Sequence, residues 1–431
     1  MSGLSTCFNV PALRAVAVAS AVCCAGLASA QGTGSSTVTL YGIADIGYTQ
    51  VTGLKAGTVS QIASGIMEGS RWGLKGSEDL GGGYKTIFTL ENRFELDTGA
   101  IGSKPISGSQ LSDRFSQAAL LGLPAQLQPA VNAVDGLLAA QYGVNTAPGE
   151  GRLFDRQAYL GLITPVGAIL AGRQYTPAFE TTAAYDIMGT QSGLAAGQIV
   201  AFPAVLEIRA SNSIAYRIVK DGISAAVMYG MGEVAGDSDK SRFLGFNANY
   251  KTDVFSVGFG YNTKNNELGQ KSLTTSVLGA SMNMGTTSTV STFVAKITDD
   301  NPNGLSAIAP ALTPQIGAGA AGLVQNAFIN AFKQDGTLFH IGYRYMTGPS
   351  TISVAYNQYN DNRPSDADVK SYGVAYSYAL SKRTDLNAVV VRYDNGSRGQ
   401  VAPGGNGYVG GVTASAGTNS TGLALGVRHR F

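Results

Sequence analysis

Along most of this chain, apolar and polar residues alternate with a period of two. In KSYGVAYSYAL (370–380), Tyr372, Val374, Tyr376, Tyr378 and Leu380 fall on one side, and Ser371, Gly373, Ala375, Ser377 and Ala379 on the other. In FSVGFGYNT, Phe255, Val257, Phe259 and Tyr261 oppose Ser256, Gly258, Gly260 and Asn262. In TISVAYNQY, Ile352, Val354 and Tyr356 oppose Ser353, Ala355 and Asn357. That period belongs to strands with two unlike faces. Sixteen such segments can be marked, at 37–50, 70–77, 84–96, 154–163, 168–175, 212–218, 223–230, 244–251, 255–264, 274–284, 287–298, 337–347, 350–360, 370–380, 384–395 and 421–431.

The gaps between them alternate long and short. The short ones are EDLGGG (78–83), TPVG (164–167), VKDG (219–222), TDV (252–254), GT (285–286), GP (348–349) and SKR (381–383). A sandwich or propeller has no reason for that alternation. An up-and-down barrel in an outer membrane does, because tight periplasmic turns alternate with external loops. Strands of about ten residues suit a bilayer, and a closed barrel leaves no backbone group unpaired in lipid. The expected fold is all-β, a 16-stranded antiparallel transmembrane β-barrel. The Val/Leu/Phe/Tyr face is expected toward lipid, with tyrosines in interfacial girdles, and the Gly/Ser/Arg/Asn face toward a wet interior. A β-solenoid would show a fixed repeat, and none is visible.

Composition sharpens this picture. Gly contributes 57 of 431 residues and Tyr 20, against 2 His. Residues 15–27 (AVAVASAVCCAGL) are apolar but too short to span a bilayer, and Ala28-Ser29-Ala30 follows as an A-x-A site. The expected organisation is therefore a signal peptide at 1–30, cleaved before Gln31, and one barrel at 31–431. Cys7, Cys23 and Cys24 all lie in the signal segment, so the exported chain has no disulfide. Thirty basic and 28 acidic residues give near neutrality, with no polybasic patch for nucleic acid. After residue 30 no apolar run is long enough for a transmembrane helix.

Two external loops are unusual. Residues 115–144 within the 97–153 loop, and 306–332 within the 299–336 loop, are rich in Ala and Leu. They are too apolar to stand free in water. They are expected to hold short helices and to pack on the barrel mouth, on each other, or on a neighbouring subunit. The chain stops on TGLALGVRHRF (421–431), a sixteenth strand that must pair with 37–50 to close the barrel. Phe431 shares the lipid face with Leu423, Leu425 and Val427.

STVTLYGIADIGY (36–48), SRWGLKGSEDLGGGYKTIFTLE (70–91), DRQAYLGL (155–162), AGRQYTP (171–177), RASNSIAY (209–216) and the terminal GVRHRF resemble the general diffusion porins of Gram-negative outer membranes, most of all the β-proteobacterial type. The resemblance spans nearly the whole exported chain. It implies a passive channel for ions and small hydrophilic solutes in the cell outer membrane, a homotrimer, and a third external loop folded into the lumen as a constriction. It also implies that Phe431 ends a strand read by the outer-membrane assembly machinery. Matching wall positions are Arg71, Arg173 and Arg209, with Arg156 as a fourth; on the loop, Asp186 and Glu180 match the opposing carboxylates. Opposed rings of fixed charge create a transverse field that biases ion selectivity. Four basic wall residues against two or three loop acids give a weak anion preference. The strand phase of Arg173 and Arg156 is wrong for the lumen unless a bulge, at Gly172 for Arg173, intervenes. The chain departs from the family at Tyr216-Arg217-Ile218-Val219-Lys220, where a Ser-Pro is usual.

Other chemistry is absent. EDLGGGYKT joins two strands and lacks the G-K-[ST] of a phosphate loop. There is no G-x-S-x-G. His340 and His429 are far apart and without metal-ligand spacing; His340 alternates with Gly342 and Arg344, which sets it in the lumen. No cofactor is expected. The competing readings are a substrate-selective channel on the same barrel, an outer-membrane barrel enzyme, which two histidines hardly permit, and a surface adhesin acting through the apolar loops.

Overall fold

The computed structural model describes residues 36–101, 106, 111–141, 152–200, 206–406 and 410–431. The expected signal segment 1–30 lies outside these residues. Seventeen strands form one sheet among the described residues. They are β1 Thr37–Leu54, β2 Gly57–Ser64, β3 Arg71–Gly81, β4 Tyr84–Arg93, β5 Gln157–Thr164, β6 Gly167–Tyr175, β7 Arg209–Lys220, β8 Ile223–Gly230, β9 Phe243–Lys251, β10 Phe255–Asn265, β11 Lys271–Met284, β12 Ser288–Asp299, β13 Gln334–Thr347, β14 Ser350–Asp361, β15 Val369–Ala379, β16 Thr384–Asn395 and β17 Ser420–Arg430.

Each strand except β2 pairs antiparallel with the next, and β17 returns to β1 from Ile43↔Arg430 to Val51↔Gly422, which closes the barrel. The seventeen strands make sixteen staves, because β2 and β3 lie end to end along one edge of β1. Val51 and Ile46 face Val59 and Ser64 of β2, and Ile43 and Thr37 face Arg71 and Ser77 of β3. The first long gap of the sequence reading, 51–69, is thus mostly strand. Its polar run GTVSQ hid the alternation there. Between β2 and β3 the chain leaves the wall and turns inward at 65–70. The Asp45 carboxylate holds that break by accepting the N–H groups of Ile66, Met67 and Glu68 at 3.0, 2.9 and 2.8 Å. Hydrogen bonds to a carboxylate are the stronger kind.

Outward residues such as Leu278, Val294, Ile341 and Val354 are exposed on the isolated chain, as a lipid-facing band requires. Tyr343, Tyr345, Tyr376 and Tyr378 are exposed toward the periplasmic turns, where aromatic rings suit the interface. No helix is long and apolar enough to cross a membrane, which says nothing of a barrel.

The interior corrects one expectation. One side of it is filled by the third loop rather than left open. Inward residues of that side, among them Val277, Phe293, Ile297, Leu338, Val389, Val391 and Tyr393, are buried in one apolar cluster with Tyr185, Ile187, Met188, Leu194, Ala196 and Ile199 of the third loop. A strand covered on both faces needs no polar row, so alternation understates how much of this wall is apolar.

Among the described residues four longer helices lie in the external connections, α1 Gln128–Gln141, α2 Pro177–Tyr185, α3 Ile308–Ile316 and α4 Ala318–Phe332, beside a single helical turn at Asp113–Ser116. The sequence left three sites open for the apolar loops. The structure packs them on each other: Phe115, Val131, Val134 and Leu138 share a buried cluster with Leu305, Leu312, Val324, Phe328 and Phe332.

Candidate functional site

The third loop follows β6 and opens on Pro177 at the start of α2, where a fixed φ and a missing N–H cost nothing. From α2 onward it runs along the inward faces of β9 to β16. A track of glycines receives it. A Cβ on Gly245 would stand 2.9 Å from Pro177, and on Gly260 2.6 Å from Thr181. On Gly279 it would stand 2.3 Å from the Tyr185 ring, and on Gly342 2.2 Å from Ile187. These glycines are therefore seats for the loop, cut to the depth of a missing side chain.

Polar bonds pin the loop tip at β13 and beyond. The Ile187 N–H donates to His340 Nε2 at 2.9 Å, so the ring proton sits on Nδ1 and goes to Asn357 Oδ1 at 2.6 Å. Arg344 donates to the Ile187 carbonyl. Asn357 Nδ2 donates to the Leu194 carbonyl at 2.9 Å, and the Tyr393 hydroxyl to that of Gly193 at 2.7 Å. His340 is fully buried and serves as an anchor.

The opposite wall keeps its charge. Arg71, Arg156, Arg173 and Arg209 come from β3, the approach to β5, β6 and β7, which are neighbouring staves with β4 among them. Glu91 of β4 and Tyr175 of β6 tie them together. Glu91 accepts from Arg156 Nε at 2.6 Å and from the Tyr41 hydroxyl at 3.1 Å. The Tyr175 hydroxyl accepts from Arg156 at 3.0 Å and from Arg209 at 3.2 Å. The Arg209 guanidinium also lies 4.8 Å from the Tyr175 ring centre, and its Nε is buried without a hydrogen-bond partner. Arg173 donates to the Asp155 carbonyl at 2.6 Å and to Ser211 Oγ at 2.8 Å. Arg71 is paired with Glu68 at 3.3 Å. Among the described residues, Arg173 and Arg209 have no carboxylate within ion-pair distance.

The bulge that Arg173 required is present. Register slips between Gly172 and Gln174, with Gly172 at φ 127 and Asn212 of β7 at φ 51. Arg156 needs no bulge. It precedes β5, and its side chain reaches Glu91 from outside the alternating run.

Asp186 and Glu180 are placed differently from the expectation that they face the arginines. The Asp186 carboxylate is buried and accepts the N–H groups of Met188 and Ala196 at 2.9 and 3.1 Å, folding the loop on itself. Both Glu180 oxygens accept from Arg217 of β7 at 2.7 Å, and one also from Asn247 at 3.3 Å. Each acid holds the loop and is spent in doing so.

Sequence reasoning missed Glu91, Tyr175 and a second charged group at the seam. There Glu68, in the break between β2 and β3, meets Arg428 at 2.8 Å and Arg430 at 3.0 Å, and Asp385 meets the same two arginines at 3.0 and 2.8 Å. Gln191 of the third loop accepts from Arg428 at 3.1 Å. Strand phase could have found Glu91, which shares the inward face with Thr89. Nothing in the sequence announced Glu68, which lies in the break.

The chain matches the family model described as Gram-negative porin over residues 15–398. An outer membrane porin protein of Bordetella pertussis is 25% identical over 442 residues, covering 94% of this chain and 96% of its own. Outer membrane porin protein 32 of Delftia acidovorans is 26% identical over 434 residues, covering 94% and 97%. Among solved structures, the anion-selective porin from Comamonas acidovorans superposes with a TM-score of 0.65 at 22% identity, over 92% of this chain and all of that one. The trimer form of OmpT from Vibrio cholerae gives 0.55 at 13% identity, over 92% of this chain and 100% of that one.

Proposed function

This chain belongs to the family of Gram-negative porins, and on that premise we propose that the row Arg71, Arg156, Arg173 and Arg209 sets the selectivity of its passage. Membership makes the protein a passive diffusion channel of the outer membrane, for ions and small hydrophilic solutes, and a channel rather than an enzyme. The finer reading is a preference for anions at a constriction between this row and the third loop.

One observation carries it. Arg173 and Arg209 stand on the wall left open by the loop with no carboxylate within ion-pair distance among the described residues, while Glu180 and Asp186 are both taken up in seating the loop. A monovalent anion about 4 Å from one guanidinium gains roughly 4 kcal/mol at an effective dielectric of 20 and about 1 in bulk water. A narrow aqueous passage lies between those limits, enough to bias passage without trapping the ion. The anion-selective Comamonas protein and the trimeric OmpT support the same reading by likeness, including assembly as a homotrimer.

The test is a planar bilayer with a potassium chloride gradient. Arg173→Glu together with Arg209→Glu should move the reversal potential toward the potassium side. A reversal potential equal to that of the parent channel overturns the assignment.

A further inference from the structure

The apolar body formed by the second and sixth external connections has no part in the constriction, yet its roots are placed with consequence. The second connection leaves the barrel between β4 and β5, and the sixth between β12 and β13. With sixteen staves these roots stand eight apart, on opposite sides of the mouth. Sixteen staves about 4.8 Å apart and tilted by about 40° enclose a mouth on the order of 30 Å across. The second connection nevertheless reaches the sixth and buries Phe115, Val131 and Val134 against Leu312, Val324 and Phe328.

It is fastened on the way. The Asp113 N–H donates to Gln400 Oε1 at 2.8 Å, and the Asp113 carboxylate accepts the Ala416 N–H at 3.1 Å. Arg114 pairs with Asp361 at the top of β14 at 3.4 Å. These contacts tie the strap to the seventh and eighth connections, far from its own root.

We infer that this joined body is an outer size filter: it divides the mouth into smaller openings, and it limits bulky hydrophilic solutes before they reach the arginine row. The inference rests on the channel reading. Loops that moved independently would not keep this much apolar surface buried, and a body that joins roots on opposite sides of the mouth takes up space an entering solute would otherwise use. Burial of this many large apolar side chains holds the two connections together, so the body is a standing obstacle on the timescale of solute entry.

The experiment uses trimers in liposomes and the swelling rates of a monosaccharide and a trisaccharide. Phe115→Ser with Phe328→Ser breaks the body. A second variant replaces residues 113–141 by a short Gly/Ser linker and leaves every strand intact. Phe115→Cys with Phe332→Cys, whose rings are centred 5.0 Å apart, allows a short bifunctional thiol reagent to lock it. The trisaccharide-to-monosaccharide rate ratio should rise several-fold in the linker variant and in the serine variant, and stay at the parent value when locked. An unchanged ratio in the linker variant, with heat-modifiable trimers of parent yield, overturns the filter. Absence of swelling with either sugar in the parent protein would instead count against the channel.

Discussion

Gly279→Val should unseat the third loop. A Cβ at Gly279 would lie 2.3, 2.4 and 2.7 Å from Cδ2, Cγ and Cβ of Tyr185, all far inside contact distance. The ring cannot simply swing aside. It is buried, and its hydroxyl lies 2.7 Å from where a Cβ on Gly258 would stand. Overpacking of this kind costs roughly 1–3 kcal/mol. At 1.4 kcal/mol per tenfold, the seated-to-unseated ratio falls about five- to a hundred-fold. Single-channel recording should show larger mean conductance with added open-channel noise. Hydrogen exchange gives a sharper reading. The Ile187 N–H is protected by the wall, through His340, whereas the Met188 and Ala196 N–H groups are protected within the loop, by Asp186. Unseating should speed exchange at Ile187 and leave the other two slow. Gly136→Ala, which meets nothing within 4 Å, is the control. If folded Gly279→Val trimers kept parental conductance and Ile187 protection, the glycine track would not be what seats the loop.

Three further outcomes are expected. Glu68→Ala leaves Arg71 without its carboxylate and Arg428 and Arg430 with Asp385 alone; loss of a buried ionic partner costs about 3–5 kcal/mol, reduced here by the remaining acid, and the thermal transition seen by heat-modifiable mobility should fall. Glu267, in the connection after β10, is raised by partial burial but held lower overall by bonds from the Gly304 N–H and the Ser306 hydroxyl. Its folded value is depressed, so its stabilisation is present above the ordinary glutamate range and lost as pH falls through the lowered one; proteolysis at 300–306 should quicken in that acid range and not at neutral pH. Removing Phe431 deletes the paired bonds Phe431 N–H to Gly42 O at 3.1 Å and Gly42 N–H to Phe431 O at 3.0 Å; the yield of folded trimers should drop while those that form conduct normally.

The barrel was legible because its signal repeats. Every stave carries the period of two, and turns such as 348–349 fall at every second gap. The sequence reading left open which side chains the loops would touch. Arg71 and Arg209 could be placed by motif, but Asp186 and Glu180 could be placed only on the loop. Their partners, the Ala196 N–H and Arg217, depend on how the loop lies against the wall. The glycine track was hidden for a related reason. Gly245, Gly260, Gly279 and Gly342 sit on the inward row, where small residues are equally suited to a water-filled space. Only Tyr185 and Ile187 lying over them distinguish a seat from an opening. The break at 65–70 was missed because a short excursion between two polar strand ends resembles a loop.

The charged group at the seam has a consequence for folding order. Glu68 bonds to residues 360 and 362 positions further along the chain, and β1 finds its second edge only in β17. Contacts of such separation form slowly, because the intervening chain must be brought together first. Until they form, β1 and β17 are bare edges able to pair with other chains. Hydrogen bonds alone would hold the edges together with little regard for register. Glu68 and Asp385 between Arg428 and Arg430 add a charge code to that joint. A slip of one residue would turn both arginines outward into lipid, so a misaligned closure is penalised at the step where the barrel becomes a single topological ring.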